Sequence, residues 1–276
     1  MVETVTAEAY GLTFLYPASD TALGPVLARY GEFARPQRDF LLNQAGATPA
    51  TFVDLGANIG AISVPFAKHR PDWRVIAVEA HGGLASLLSA NARNNGCSRL
   101  EVLHAAAGDH RCVADFPAIP LTSRENVGTS SFCDPRYPTQ PVLMLPLDEI
   151  APDDTALVKV DVEGFEEQVL EGATRVLSEV RPVWFVEAVY KEPRRAVMQR
   201  FLAADYALFW FYAPWVTRRP MKGDAPSAAE TTKGDANIVA VPRGRRPAWP
   251  LPPARPEDET WPTNAALYPY LRAYGY

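Results

Sequence analysis

Between residues 51 and 188 the chain alternates short apolar runs with stretches of helical period, and few folds accept that alternation. A strand, a helix and another strand of the same kind close into a parallel sheet with helices on its faces. The strand-like runs are "TFVDL" (51–55), "RVIAVEA" (74–80), "LEVLHAA" (100–106), "ALVKVDV" (156–162) and "PVWFVEAV" (182–189). Helices are expected over 59–69, 83–95 and 164–179, with Pro65 bending or shortening the first and Gly172 dividing the third. A helix over 193–204 and the runs "YALFWFY" (206–212) and "NIVAVP" (237–242) bring the strands to seven. The expected fold class is α/β, a doubly wound, mostly parallel sheet with helices on both faces.

That sheet domain spans 51–242. Residues 1–50 read as a cap of mixed helix and loop, including "RPQRDFLLNQ", and 243–276 as a Pro- and aromatic-rich tail. Trp249, Trp261, Tyr268, Tyr270, Tyr274 and Tyr276 make the tail a strap for the body or for a partner, an oligomer contact in the second case. The polar, Gly-, Ala- and Pro-rich connection 213–236 has the length of a functional lid or a disordered loop.

The chain has 276 residues, 47% hydrophobic and 21% charged, in the range of globular domains with one sizeable core. A net charge of -5 leaves no electrostatic footprint for nucleic acid, and the Arg243–Arg246 cluster reads as solvated linker. Cys97, Cys112 and Cys133 contain no close pair, so neither a disulfide framework nor a zinc site is suggested. "MVETVTAEAY" lacks the basic start and apolar core of a signal peptide, and no apolar run is long enough for a bilayer. The expectation is a cytoplasmic protein without nucleic-acid or membrane partners.

The first run leads into "DLGANIG", a glycine turn in the spacing D-x-G-x-N-x-G over Asp54, Gly56, Asn58 and Gly60. Such a turn lets a ligand approach the backbone at the carboxyl edge of the sheet. It is not the G-x-G-x-x-G that presents a helix N-terminus to a pyrophosphate, and Asp54 would repel an anion there. Glu79 ends the second run, where an acid accepts ribose hydroxyls in nucleoside-binding folds. A nucleoside with a cationic centre and no pyrophosphate meets both demands, and S-adenosylmethionine is such a ligand. The plainer account makes Asp54 a helix cap and Glu79 a surface acid. Among the histidines only His81 stands close enough to this turn to touch a ligand; His69 and His110 read as solvated and His104 as packed.

"LVKVDVEGFEEQVLEGA" (157–173) carries the second group of ionisable residues. In an extended strand Lys159, Asp161 and Glu163 point to one side at intervals of about 6.6 Å. They are candidates for the reacting centre, with an internal ion pair the competing account for Lys159. Glu166 and Glu167 fall in a first helical turn, where acids complement the helix dipole. Glu187 closes "VWFVE" on the same sheet edge and joins the candidates.

These segments together resemble the FkbM family of S-adenosylmethionine-dependent methyltransferases. The resemblance rests on "FVDLGANIG" (52–60), "VIAVEA" (75–80), "AAAGD" (105–109), "LPLDEI" (145–150), "VKVDVEGFEEQVLEGA" (158–173), "RPVWFVE" (181–187) and "GDANIVAVP" (234–242). It implies a seven-stranded methyltransferase sheet with the last strand antiparallel and methyl transfer, usually to a hydroxyl oxygen of a sugar or natural-product intermediate. By position, Asp54, Gly56, Asn58 and Gly60 would shape the methionine side of the cofactor site, and Glu79 the ribose side. Ala106 and Asp109 would neighbour the adenine, and Asp161 the methionine end and the acceptor. "NVGTSSF" (126–132) resembles a substrate-side loop and offers Ser130 and Ser131. The chain departs from the family where Ala80 and His81 follow Glu79, since a proline usually stands directly after that acid.

In the resulting reading, Asp161, Glu163 or Glu187 accepts the acceptor's proton or orients it, or the carboxylates hold a magnesium ion. The alternatives are an N-methyltransferase, a nicotinamide-dependent oxidoreductase, disfavoured by the missing fingerprint, and a non-catalytic nucleoside-binding partner in a biosynthetic complex.

Overall fold

Residues 4–17 alternate apolar and polar side chains on either side of Tyr10-Gly11, and they form a β-hairpin where the sequence reading had helix and loop. In the computed structural model, which describes residues 2–134, 136–188, 191–262 and 264–276, β1 (Thr4–Ala9) pairs antiparallel with β2 (Leu12–Pro17). Tyr10 and Gly11 both have positive φ, 58° and 72°, as the tightest right-twisted hairpins require. Two helices follow, α1 (Leu23–Tyr30) and α2 (Arg35–Gln44). Pro36 lies in the first turn of α2, where its missing N–H costs nothing.

The main sheet is built in chain order from β3 (Thr51–Leu55), α3 (Ser63–His69), β4 (Arg74–Glu79), α4 (Gly82–Asn94) and β5 (Leu100–His104). The chain then leaves it for β6 (Ala106–Gly108), β7 (Cys112–Pro117) and β8 (Thr139–Pro146), which form a separate three-stranded sheet in the order β6-β8-β7. Helix α5 (Leu147–Ile150) leads to β9 (Thr155–Val160), α6 (Glu166–Glu171) and a π turn at Val176–Val180. The last elements are β10 (Val183–Glu187), α7 (Lys191–Ala203), β11 (Tyr206–Pro214), α8 (Ala228–Thr231) and β12 (Gly234–Pro242). The order is β11-β12-β10-β9-β3-β4-β5, and β12 alone runs antiparallel to its neighbours.

Successive residues of the central strands bury alternately into two apolar layers. Phe52, Val75, Leu157 and Phe185 join the core on one face, and Val53, Ile76, Val158 and Trp184 the core on the other. Burial on both faces is why these runs are continuously apolar. Helix α3 starts at Ser63 rather than at residue 59, which puts Pro65 in its first turn, where no bend is needed. Of the run 182–189, Val189 lies outside the described residues. The third run ends at His104, because Ala106 pairs with Met144 in the small sheet.

Two open strand edges are closed, one by side-chain amides and one by the tail. Asn91 on α4 and Asn95, which caps its C-terminus one turn on, act as a surrogate strand for β2. Leu15 N donates to Asn91 Oδ1 at 2.7 Å and Thr13 N to Asn95 Oδ1 at 3.0 Å, and each amide donates back to the same residue's carbonyl. The tail covers β11: Trp210 N donates to Pro252 O at 2.8 Å and Ala254 N to Leu208 O at 2.9 Å. Tyr270 stacks on Phe211 with ring centres 4.7 Å apart. Its hydroxyl donates to Tyr212 O at 2.7 Å and accepts from Tyr212 N at 3.0 Å. Among the described residues no helix is long and apolar enough to cross a membrane.

Candidate active site

The chain winds from β3 outward to β4 and β5, then returns to build β9 and β10 on the other side of β3. The boundary between β3 and β9 is therefore the switch point of the sheet, where the outgoing loops separate and leave a crevice. A cavity of about 290 Å³ opens there, and its lining includes Gly56, Glu79, Ala106, Asp161, Glu187 and Asp235.

Asp54 on β3 and Lys159 on β9 are paired in register and both are buried. Lys159 Nζ lies 3.3 Å from Asp54 Oδ1 and 3.1 Å from Asp161 Oδ2, and the Ser63 hydroxyl donates to Asp54 Oδ2. Burial opposes the charge on Lys159, but Asp161 and Asp54 outweigh it and hold the ammonium protonated. Asp54 is thus paired with a cation, and the internal ion pair offered as the competing account for Lys159 is present. Gly56 has φ 74°, and a Cβ there would run into the Asp161 carbonyl oxygen. Only a glycine lets the two loops pass so closely. Gly60, also a sequence candidate, packs against Val64 and Leu88 and does not line the cavity.

Glu79 is fixed by two backbone donors, Asn58 N on Oε2 and His81 N on Oε1, both at 2.8 Å. Burial pushes its carboxyl up to about 7, against the pull of those amides and of Lys159. Asn58 reaches this bond from a left-handed conformation, φ 53°. His81, which the sequence placed near a ligand, has its ring engaged by the protein. Its Nδ1 accepts from Gly83 N and Leu84 N to cap α4, its Nε2 is 2.8 Å from Ile119 O, and the ring is not part of the cavity lining. Ala106 does line it, with Ala105, Ala107, Phe116, Phe132 and Phe165. The Phe132 ring packs 5.0 Å from Phe116 and 4.9 Å from Phe165, which makes this part of the wall apolar. Asp109, expected beside the adenine, lies past the end of β6, 2.9 Å from His110 Nδ1 on the surface and outside the lining.

Carboxylate oxygens of Asp161, Glu163 and Glu187 lie within 4.8 Å of one another. They do not converge by strand alternation, as the sequence suggested, because β9 stops at Val160. The chain turns back through positive φ at Glu163 (54°) and Gly164 (96°). Buried Glu166 holds that turn, its Oε1 accepting from Gly164 N at 3.1 Å and Val162 N at 3.4 Å. Glu187 arrives from the end of β10. Its Oε2 is buried without a hydrogen bond among the described residues, and burial, then Asp161 and Glu163, pushes its carboxyl well above the usual range. Three such oxygens suit a divalent cation.

Ser130 and Ser131 are spent on the backbone. Ser130 lines the cavity, but its hydroxyl donates to Val127 O at 2.9 Å and accepts from Ile119 N at 3.2 Å. Ser131 donates to Glu163 O at 2.6 Å, tying its loop to the acidic turn.

Sequence reasoning missed Phe33, Gln37, Trp215 and Asp235, which complete the wall. A signal existed for Asp235: an antiparallel strand begins at the edge where its parallel neighbours end, so an acid at the start of "GDANIVAVP" belongs to the same edge. Nothing local marks the other three.

A seven-stranded sheet with one reversed strand, and a buried acid and glycine turn at its switch point, define the Rossmann-like methyltransferase class. The methyltransferase FkbM domain matches residues 54–207, more than half of the chain, and the chain belongs to the FkbM methyltransferase family. Among solved structures it is similar to the methyltransferase FkbM from Methylobacillus flagellatus KT, with 19% identity and a TM-score of 0.44 over 69% of this chain and 43% of that one. The chain therefore spans less than half the length of that relative. It is also similar to the METTL16 MTase domain (11% identity, TM-score 0.49, 84% and 74% covered). A third is M. jannaschii TYW2 in complex with AdoMet (13%, 0.46, 87% and 85%). No curated protein matches the chain.

Proposed function

We propose that the chain is an S-adenosylmethionine-dependent O-methyltransferase acting on a hydroxyl of a sugar or natural-product intermediate. One observation carries the reading: the doubly anchored Glu79 and the Asp161, Glu163 and Glu187 carboxylates open into a single cavity at the switch point. The residues suit the donor. Glu79 accepts hydrogen bonds from ribose hydroxyls, and the Ala105–Ala107 and Phe132 wall takes an apolar base. Lys159 with Asp54 and Asp161 offers both signs of charge to an amino-acid moiety. When bound, that donor supplies an electrophilic methyl group.

The acceptor oxygen must be oriented and must lose a proton. Asp161, its carboxylate fixed by Lys159, orients it. Glu187 and Glu163 stand within reach of the same position to take the proton, and burial makes Glu187 the stronger base once ionised. The close grouping of the three oxygens favours a second reading, in which a divalent cation held there lowers the hydroxyl's pKa.

The test has two stages. Melting curves with S-adenosylhomocysteine and with NAD should show stabilisation by the first alone, roughly 2.7 kcal/mol at ~100 times its dissociation constant. No shift at millimolar S-adenosylhomocysteine would remove the cofactor assignment. Incubation of cell extracts with methyl-deuterated S-adenosylmethionine, with and without chelator, should then label an oxygen. A label on nitrogen would overturn the O-methyl assignment.

A further inference from the structure

Four residues of the cavity wall have no part in the reading above. The rings of Phe33 and Trp215 stack with centres 6.1 Å apart and planes at 29°. The segments that carry them are tied together by Ala34 N donating to Trp215 O at 2.9 Å and Thr217 N to Glu32 Oε1 at 2.7 Å. Trp215 Nε1 donates to Asp235 Oδ2 at 2.6 Å and so fixes that carboxylate, leaving Oδ1 without a donor among the described residues. Gln37 is only 7% exposed and lines the cavity, yet its side-chain amide makes no hydrogen bond among the described residues. A largely buried residue whose amide is left open to a cavity in this way is available to a ligand.

Charge decides what that ligand is. Lys159, the one cation among the described lining residues, is committed to Asp54 and Asp161. Neither Glu187 nor Asp235 has an ion pair among the described residues. Burial, and then Asp161, pushes Asp235 up to about 6, and a cation beside it would favour its ionised form. A neutral polyol would satisfy the Gln37 amide but bring no counter-charge to the Asp235 carboxyl. A protonated amine answers every feature at once: charge for Asp235, a donor for the Gln37 carbonyl, and a cation for the Phe33 and Trp215 ring faces.

We infer that the acceptor carries a protonated amine beside the hydroxyl to be methylated, and that Asp235, Gln37 and the Phe33–Trp215 pair are its anchor. This rests on the methyl-transfer reading. The test uses protein saturated with S-adenosylhomocysteine and saturation-transfer NMR with trans-2-aminocyclohexanol, trans-cyclohexane-1,2-diol and the N-acetylated amine, plus a separate titration with magnesium. The amine should bind about tenfold or more tightly than the diol or the amide. Asp235→Asn and Trp215→Phe should each weaken the amine about tenfold while S-adenosylhomocysteine affinity stays unchanged, which also verifies folding. Equal affinity for amine and diol, no binding of the amine, or an unchanged amine affinity in Asp235→Asn would overturn the inference. So would magnesium binding that Asp235→Asn abolishes in a protein with no affinity for the amine. If S-adenosylhomocysteine itself does not bind the parent, the cofactor reading has failed and the inference falls with it.

Discussion

Lys159 and Asp54 face each other across the two strands that flank the switch point, with Nζ 3.3 Å from Oδ1, and the same ammonium holds Asp161 at 3.1 Å. One buried cation therefore sets the position of two carboxylates that arrive on different strands. Lys159→Met should leave both uncompensated and destabilise the fold by about 3–5 kcal/mol. Adding Asp54→Asn should recover part of the loss, because the two sites share one network. Chemical denaturation of the two single variants and the double variant measures this, and strict additivity would show that the pair does not act as a unit.

Gly56 is where the loops after β3 and β9 nearly touch. Gly56→Ala should weaken S-adenosylhomocysteine binding by roughly tenfold or more and lower the melting temperature, since the new methyl group displaces the Asp161 carbonyl and φ 74° disfavours any side chain. Ser130→Ala, which changes a loop bond to Val127, should stay within about 0.5–2 kcal/mol in stability and leave cofactor affinity near that of the parent. Calorimetric titration of both separates the two roles, and equal affinity losses would contradict it.

Glu79 links stability to pH. Its folded carboxyl sits at about 7, above the ordinary 4.5, so the folded state binds more protons than the unfolded state between those values. Stability from this group is therefore greatest below about 4.5 and declines as pH rises through about 7, by roughly 3 kcal/mol in all. Asp235 and Glu187, also raised by burial, add to the same trend. Glu79→Gln removes one contribution, so its stability relative to the parent should improve from pH 5 to pH 8. A difference that does not change across that interval would show that Glu79 ionises normally in the fold.

Glu187→Gln and Glu163→Gln should keep S-adenosylhomocysteine affinity and lose turnover. The loss should be about 100 to 10,000-fold at whichever residue accepts the proton. The comparison is repeated with chelator and with added magnesium. Activity that vanishes on chelation and returns with the ion would assign the carboxylates to a metal. Parent-like rates in both variants would leave catalysis to positioning alone.

The tail hydroxyls are predicted to hold the edge strand. Tyr270→Phe strips both hydrogen bonds from the Tyr212 backbone while keeping the ring on Phe211, and should cost about 1–3 kcal/mol. Unchanged melting would mean that stacking alone carries the strap.

The sheet was legible in the sequence because its strands are buried on both faces, and burial on both faces forces continuous apolar runs such as "TFVDL" and "VWFVE" that nothing else in the chain imitates. Asp54, Gly56 and Glu79 were legible for a related reason: each ends a strand or opens a turn, so a local pattern fixes its place at the carboxyl edge. The hairpin at Tyr10-Gly11 carried a local signal in its alternation and its glycine, which a helix-and-loop reading overlooked. Tertiary structure alone decided the rest. Whether Lys159 faces Asp54 depends on the register of two strands about a hundred residues apart, and Glu163 meets Glu187 only because a left-handed turn redirects it from its strand. His81 and Asp109 stand as near the motifs in sequence as the residues that line the cavity, yet one caps a helix and the other meets His110 at the surface. Gln37 and Trp215 reach the cavity from segments with no motif at all, since a side chain's neighbours across the fold leave no period in its own sequence.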